Sequence, residues 1–123
     1  MSARSVVTAL IAPVLPEGWI FYDRDKSLGT IGKPTVILQH TKVAPGQFHG
    51  HYVHTITLAL IDPSQNADVM DDALDDRLDV LLPILRDIAE LEFTEANRGD
   101  YPATNPQYGA WSLQLQITLT TTA

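Results

Sequence analysis

Hydrophobic and polar residues alternate without exception over positions 111–120. The apolar positions are Trp111, Leu113, Leu115, Ile117 and Leu119, and each is followed by a serine, a glutamine or a threonine. Because successive side chains of a β-strand point to opposite faces of the sheet, this period of two predicts a half-buried strand. The patterns of residues 35–43 and 52–61 predict two further strands.

The two earlier strands are joined by a loop, residues 44–50, that contains a proline and two glycines. We expect these strands to form an antiparallel hairpin with a long, flexible tip. In the first of them, Val36 and Leu38 share one face and Ile37 lies on the other. Apolar residues on both faces indicate a central position in the sheet.

Two other segments carry the period of a helix. The first covers residues 3–12, where Ser2 can cap the start and Pro13 can stop the helix. The second begins near residue 67, and its apolar residues recur at intervals of three or four: Met70, Leu74, Leu78, Leu81, Leu85 and Ile88. Pro83 falls inside this pattern and cannot donate the helical hydrogen bond, so we expect a kink or a break there.

Two shorter patterns complete the order of elements. Residues 19–22 are a short apolar run that predicts an edge or entry strand, and residues 91–94 begin another strand. The segment 97–106, rich in glycine, proline and asparagine, predicts a loop before the last strand. Together the patterns predict a single α+β domain over residues 1–123, with a mostly antiparallel sheet of four to five strands. We expect the N-terminal helix and the long kinked helix to pack on one face of that sheet.

The composition excludes several kinds of site and makes some kinds of partner unexpected. With 123 residues, 45% of them hydrophobic, the chain can bury one core. It contains no cysteine, which excludes disulfides and thiolate zinc sites. The formal charge of −7 argues against binding nucleic acid by neutralising phosphates. Residues 1–15 lack the pattern of an export leader and no apolar run is long enough to span a membrane, so we expect a soluble protein made inside the cell.

Six aspartates crowd into residues 68–79, within the second predicted helix, and Arg77 is the one cation among them. Five of these aspartates are candidates for an acidic surface: Asp68, Asp72, Asp75, Asp76 and Asp79. Like charges one helical turn apart destabilise a helix by roughly 0.2–0.5 kcal/mol per pair, so the pattern has a cost. A solvated helix face is the ordinary explanation. The functional alternative is a face that repels DNA or meets a basic partner.

The four histidines fall within one predicted hairpin: His40, His49, His51 and His54. Strand geometry puts His49 and His51 on one face and His54 on the other, whereas a tight metal site needs three or four ligands. We therefore expect no metal and no cofactor. Since no set of residues forms a recognisable catalytic group either, we expect the protein not to be an enzyme. The alternative from a different class is a small metal-binding enzyme or ligand-binding domain that uses His40, His49 and His51.

Five features follow one another along nearly the whole chain: the opening helix with Pro13 after it, the strand at 35–41, the long strand at 52–62, the helix at 68–88, and Tyr108-Gly109-Ala110-Trp111 at the start of the last strand. In this order they resemble the tail terminator proteins of long-tailed bacteriophages, which are small, cysteine-free α+β proteins. The resemblance rests on the order of elements and on the hydrophobic pattern.

The resemblance implies a virion structural protein at the head-proximal end of the phage tail, assembled in the host cytoplasm. Such a protein forms a homo-oligomeric ring, usually a hexamer, that caps the tail tube, stops its polymerisation and joins the tail to the head connector. The implied partners are further copies of the chain, the tail tube protein and the head–tail connector or neck protein. DNA would pass through without specific binding, and no catalytic residue, cofactor or membrane is implied. A neck or head–tail connector component is the runner-up.

The resemblance also assigns candidate contact residues. The loops that contact the tube or the connector would correspond here to Pro45, Gly46, Gln47 and Phe48, and to residues 97–105. Phe48 suits docking because aromatic anchors dominate interface energies. The acidic helix would line the lumen of the ring or meet a neighbouring subunit.

Overall fold

The computed structural model describes residues 2–25, 31–64, 67–101 and 108–120. The helices are α1 (Ala3–Ile11) and α2 (Ala67–Arg86), and a 3-10 helix, Ala12–Val14, follows α1 directly. The strands are β1 (Ile20–Tyr22), β2 (Thr35–Pro45), β3 (His51–Ile61), β4 (Glu92–Tyr101) and β5 (Tyr108–Thr120). The predicted α+β class and the predicted order of elements are confirmed.

The five described strands join one sheet in the spatial order β1-β2-β3-β5-β4. β1 runs parallel to β2, and the other neighbouring pairs are antiparallel. β2 and β3 form the predicted hairpin, in which Val36 lies opposite Leu60. β1 lies at one edge and β2 lies inside the sheet, as the sequence predicted. The last strand is inserted between β3 and β4, so the longest alternating pattern of the sequence lies in the interior of the sheet.

Both helices cover the same face of the sheet. The buried strand residues on that face are Val36, Leu38, Ile56, Leu58, Leu60, Leu113, Leu115 and Ile117. They form one cluster with Val7 and Ile11 of α1 and with Leu81 and Leu85 of α2. Since a fully buried leucine or isoleucine contributes about 1.5–3 kcal/mol, this cluster is the main source of stability. The predicted packing of the two helices on one face is confirmed.

The other face of the sheet has a different character. Away from the β2–β3 connection it holds a smaller cluster of buried residues: Ile37, Ala59, Ile61, Tyr101, Tyr108 and Ala110. Toward that connection the same face is half-buried and polar, with Gln39, Thr57, Ser112, Gln114 and Gln116. The polar positions of the alternating pattern therefore mark the face that the two helices leave open.

The ends of the helices follow local chemistry. Ser2 caps α1 as predicted, because its hydroxyl accepts a hydrogen bond from the backbone N–H of Ser5 at 3.1 Å. We expected either a kink or a break of the helix at Pro83. α2 continues through this proline to Arg86, so the helix is not broken there. The last turn of α2 is held against the sheet by the buried Leu85. No helix in the described segments is long and apolar enough to cross a membrane.

β4 extends further than the sequence predicted. Residues 97–101, expected in a loop, are paired with β5, and Gly99 lies opposite Ala110. Asparagine, glycine and aspartate have low strand propensity, but pairing along β5 decides the conformation here. Residues 102–106, the rest of the predicted loop, lie outside the described residues.

Two arginines tie α2 to the sheet. Arg77 Nε lies 3.3 Å from Oδ1 of Asp62, a buried carboxylate directly after β3. The other carboxylate oxygen of Asp62 accepts a hydrogen bond at 3.0 Å from the backbone N–H of Ser64. Arg98 of β4 pairs with Asp71 of α2. These contacts fix the position of α2 along the sheet. The apolar cluster alone would not fix it, because apolar contacts have no preferred direction.

Asp62→Ala should lower the free energy of unfolding by about 1–3 kcal/mol, because it leaves the N–H of Ser64 and the guanidinium of Arg77 without their acceptor. Urea denaturation followed by circular dichroism measures the change. The matched control is Asp72→Ala, which removes an exposed carboxylate of α2 and should change the free energy by less than about 0.5 kcal/mol. Equal effects of the two substitutions would contradict the anchoring role of Asp62.

Candidate functional site

The β2–β3 hairpin ends in a short loop, residues 46–50, which we call the tip. The backbone N–H of Gly46 donates to the carbonyl of His51 at 2.7 Å, and the N–H of His51 donates to the carbonyl of Phe48 at 3.1 Å. Because β2 extends to Pro45, the tip is shorter and more closed than the long, flexible loop that the sequence predicted.

Gly46 is required by the close approach of the two strands at the tip. A Cβ atom at this position would lie 2.9 Å from both the Cβ atom and the carbonyl oxygen of His51. Gly50 has a φ of 82°, in the left-handed region that favours glycine. The two glycines therefore determine the shape in which the tip presents its side chains.

The candidate contact residues at the tip differ in exposure. Phe48 is 63% exposed, and its ring meets the ring of His51 edge-on at a centroid distance of 5.6 Å. Pro45 and Gln47 are exposed, whereas Gly46 is half-buried. Of the predicted contact residues here, Phe48 offers the largest exposed apolar side chain.

Apolar side chains continue along the sheet beyond the core toward the tip. Val43 and Tyr52 lie on the helix-facing side of β2 and β3, and they are 50% and 40% exposed. We call Val43, Phe48 and Tyr52 the tip surface. Three exposed apolar side chains therefore lie at this end of the hairpin, and the tip surface is a candidate site for protein–protein contact.

The hairpin is free of acidic residues in an otherwise acidic protein. No carboxylate side chain occurs between Asp25 and Asp62, a stretch that contains Lys42 and all four histidines. All 15 aspartates and glutamates therefore lie outside the hairpin. A search for motifs does not reveal this segregation of charge. It is visible in the sequence as a long stretch without aspartate or glutamate.

The two predicted contact segments lie at opposite ends of the sheet. The tip adjoins the pair formed by His51 and Thr120, whereas Gly99 lies opposite Ala110, which pairs with Ile61 at the far end of β3. At a rise of about 3.3 Å per residue, the length of β3 separates the two ends by roughly 30 Å. Residues 102–105 of the second segment lie outside the described residues.

The aspartates of α2 form an acidic face. Four of the five candidates are exposed: Asp72, Asp75, Asp76 and Asp79. The side chain of the fifth, Asp68, lies outside the described residues. The arginines nearest to them in the fold are engaged elsewhere, since Arg77 pairs with Asp62 and Arg98 pairs with Asp71. Neither ion pair involves the four exposed aspartates of the acidic face.

His40 and His54 form a hydrogen-bonded pair across the hairpin. Nε2 of His40 lies 3.0 Å from Nδ1 of His54, and the ring centroids are 5.1 Å apart. A bulge between His40 and Lys42 shifts β2 against β3 by one residue and so sets this contact. His40, His49 and His51, the residues of the alternative metal or ligand site, do not come together in the structure. Among the described residues, no three histidine, aspartate or glutamate side chains are placed to hold a metal ion.

Burial lowers the pKa of His54, and the neighbouring His40 lowers it further through charge repulsion. The folded protein therefore favours the neutral form of His54. A neutral ring can also accept or donate the single hydrogen bond that joins the pair, whereas two charged rings cannot share it. The pair thus couples the protonation of the hairpin to its stability.

A mainly apolar groove of about 540 Å³ lies between the last turn of α2 and the start of β4. We call it the α2–β4 groove; its apolar lining is Leu82, Pro83, Leu85, Leu91 and Phe93. Arg86 and Glu92 also line it, and Asp87 and Glu90 are exposed in the connecting segment. Neither hydrophobic pattern predicts this groove, because its walls come from two elements whose contact is not visible in the sequence.

The stability of the protein should fall as the pH drops from about 7.5 to about 5.5, in part through His54. The folded state holds the pKa of His54 below its ordinary value of 6.5, so the unfolded chain binds the proton more readily. This contribution is present above pH 6.5 and is lost as the pH falls toward the lower, folded pKa. His54→Phe removes it and should flatten the pH dependence of the thermal unfolding midpoint. The control, His49→Phe at the exposed tip, should keep the wild-type slope; identical slopes in all three proteins would exclude the effect.

Comparisons with known proteins complete the description of the site. A scan against models of protein families found no match, and a search of the curated proteins found none either. Three features of the chain itself bear on its function: the tip surface, the acidic face of α2 and the α2–β4 groove.

Proposed function

We propose that the protein is a virion structural protein that terminates the tail tube of a long-tailed bacteriophage. Copies of the chain form a hexameric ring at the head-proximal end of the tube, stop its polymerisation and join the tail to the head connector. The work of the protein is assembly, with no catalysis and no cofactor. Its partners are the tail tube protein and the connector or neck protein.

The tip surface is the observation that carries this proposal. A protein that caps a growing polymer needs an exposed contact surface that is already ordered before it docks. Phe48 is 63% exposed on a loop closed by two backbone hydrogen bonds. Because such a loop loses little conformational freedom on docking, its aromatic side chain can bind at low entropic cost. We assign the contact with the tube protein or the connector to the tip and the preceding residue: Pro45, Gly46, Gln47 and Phe48.

The separation of the two predicted contact segments supports a role between two partners. The tip and residues 97–101 lie at opposite ends of a sheet roughly 30 Å long. A subunit of this shape can meet the tube with one end and the connector with the other. Joining the tail to the head requires two such separate surfaces.

The acidic face of α2 supports the passage of DNA through the ring. Asp72, Asp75, Asp76 and Asp79 are exposed and unneutralised by the arginines nearby. Binding to DNA depends on cationic side chains that displace counterions from the phosphates, so a lumen lined by this face would repel the DNA rather than retain it.

Mixed with its tail tube protein, the wild-type chain should hold tubes to a finite length, each capped by a ring at one end. Phe48→Ser should raise the amount of protein needed for capping at least about tenfold, because it removes the aromatic anchor of the tip. Electron microscopy of negatively stained tubes gives the length distribution. The control, Val14→Ala, changes a side chain that is 48% exposed outside the tip surface and should leave capping unchanged.

Two outcomes would overturn this assignment. Tubes that grow to the same length with and without the wild-type protein would exclude a terminator. Protein that binds the head connector but leaves tube length unchanged would assign the neck or connector role instead.

Asp72→Lys combined with Asp76→Lys should make the protein retain DNA and lower the infectious titre of the phage at least about tenfold, because each lysine adds a phosphate contact at the lumen. Gel-shift assays at low salt and plaque counts measure the two effects. Glu17→Lys combined with Glu95→Lys changes the net charge equally at exposed positions outside α2 and is the matched control. If both pairs of substitutions behave alike, the acidic face does not line the lumen.

A further inference from the structure

We propose that the α2–β4 groove binds an extended segment of a partner protein, which adds to the outer edge of β4 as a further strand and carries alternating apolar and basic side chains. The apolar side chains of the segment enter the groove, and its basic side chains meet carboxylates at the rim. The inference goes beyond the proposed function and does not depend on it, since the groove lies outside the tip surface and outside the acidic face.

β4 is a long strand at an edge of the sheet, and β5 is its one neighbour among the described strands. All of residues 92–100 except Ala96 are exposed. The backbone N–H and C=O groups on the outer side of an edge strand have no partner within the sheet, so another strand can pair with them. Proteins usually blunt such edges, and β1 at the opposite edge is only three residues long. β4 has ten residues and contains neither proline nor lysine.

The groove lies where a segment added to this edge can place its side chains. Among the described strands, β4 alone lines it, and the last turn of α2 forms the other wall. Phe93 lies opposite Leu115, which belongs to the core beneath the helices, so Phe93 points to the helix side of the sheet. Every second side chain of an added strand points to that side as well. Because the lining there is mainly leucine, proline and phenylalanine, apolar side chains suit these positions.

The intervening side chains of the added segment point to the other side of the sheet. Glu92 lies opposite Gln116 on the face that the helices leave open, and Glu92 is exposed. Side chains of opposite charge on neighbouring strands stabilise the pairing of those strands. A lysine or arginine next to an apolar residue of the segment can therefore pair with Glu92.

The other charges around the groove favour the same occupant. Arg86 is the one cation of the lining, and its Nε lies 3.4 Å from Oδ1 of Asp87, so these two charges offset each other. Glu90 and Glu92 remain exposed and make the rim negative. A basic segment is therefore attracted to the groove. A second copy of β4 is a poorer occupant, because this strand holds three carboxylates and one arginine and two such edges repel each other.

A bulge next to Phe93 limits the length of the added strand. It shifts the register between β4 and β5 at the groove, and bulges interrupt pairing along an edge. We therefore expect a short segment, roughly five or six residues that form strand.

Binding of a synthetic peptide to the full chain tests the proposal, with fluorescence anisotropy as the measurement. The probe is a capped, fluorescein-labelled heptapeptide in which basic and apolar side chains alternate, Lys-Leu-Lys-Phe-Lys-Leu-Lys. It should bind saturably at one site per chain. The same residues in blocks, Lys-Lys-Lys-Lys-Leu-Phe-Leu, and the alternating peptide with glutamate in place of lysine should each bind at least about tenfold more weakly. Equal affinity for the block peptide would indicate general attraction to an acidic protein and would overturn the proposal.

Methylation of the peptide backbone separates strand addition from simple insertion of side chains. In an extended segment the N–H groups of successive residues point to opposite edges, so methyl groups on the nitrogens of alternate residues block one edge only. Of the two probes methylated in this way, one should bind at least about tenfold more weakly and the other should retain its affinity. Equal affinities of the two methylated probes, whether high or low, would overturn strand addition.

Substitutions in the chain locate the bound probe. Phe93→Ala removes part of one wall and should weaken binding at least about fivefold. The matched control is Val69→Ala, since Val69 is 54% exposed in the first turn of α2, about 20 Å along the helix from Leu82, and it should leave the affinity unchanged. Equal effects of the two substitutions would place the probe elsewhere and overturn the site.

Charge reversal keeps the proposal testable if Phe93→Ala folds poorly. Glu92→Lys should weaken binding of the probe at least about tenfold, whereas Glu17→Lys, the same change of charge at an exposed position outside the groove, should weaken it less than about twofold. Similar losses in the two variants would contradict the assignment.

Sedimentation velocity without peptide tests a second copy as the occupant. Self-association of the chain should be the same in the wild type, in Phe93→Ala and in Glu92→Lys. Self-association that both substitutions weaken as strongly as they weaken probe binding would assign the groove to a second copy and overturn the partner segment.

Discussion

The burial of one face of β3 and β5 beneath two helices is the constraint on which the rest of the structure depends. It requires apolar residues at every second position of these strands, and it fixes which side chains enter the core. The same face continues along β2 and β3 toward the tip, where Val43 and Tyr52 are exposed. Val43 and Tyr52 of the tip surface thus continue the core face beyond the residues that the helices bury. This candidate contact surface exists because the hairpin extends beyond the two helices that cover the rest of the face.

The ion pairs that hold α2 on the sheet help to explain why its outer face is acidic. The chain has 8 lysines and arginines against 15 aspartates and glutamates, so few cations are available to neutralise a run of aspartates. Arg77 turns inward to the buried Asp62, and Arg98 reaches Asp71 from β4. The two arginines that hold the helix on the sheet are therefore engaged with Asp62 and Asp71 and not with Asp72, Asp75, Asp76 or Asp79.

The fold could be predicted largely from local patterns, and the site only in part. The alternation of β5 and the cap at Ser2 depend on neighbouring residues, so both could be found in the sequence. Residues 97–101 were expected in a loop because their strand conformation comes from pairing with β5, which no local pattern shows. The pairing of His40 with His54 depends on a bulge, and a one-residue shift in register cannot be derived from alternation alone. The α2–β4 groove requires the packing of two elements, so it becomes visible only in three dimensions.

The segregation of charge gives the molecule a lateral polarity. The β2–β3 hairpin has no carboxylates, whereas α2, the following segment and β4 carry most of them. A cationic surface is therefore attracted to the part of the molecule that carries α2 and β4 more than to the hairpin. The distribution of acidic residues along the chain therefore raises the electrostatic energy of any arrangement in which α2 of one molecule faces α2 of another.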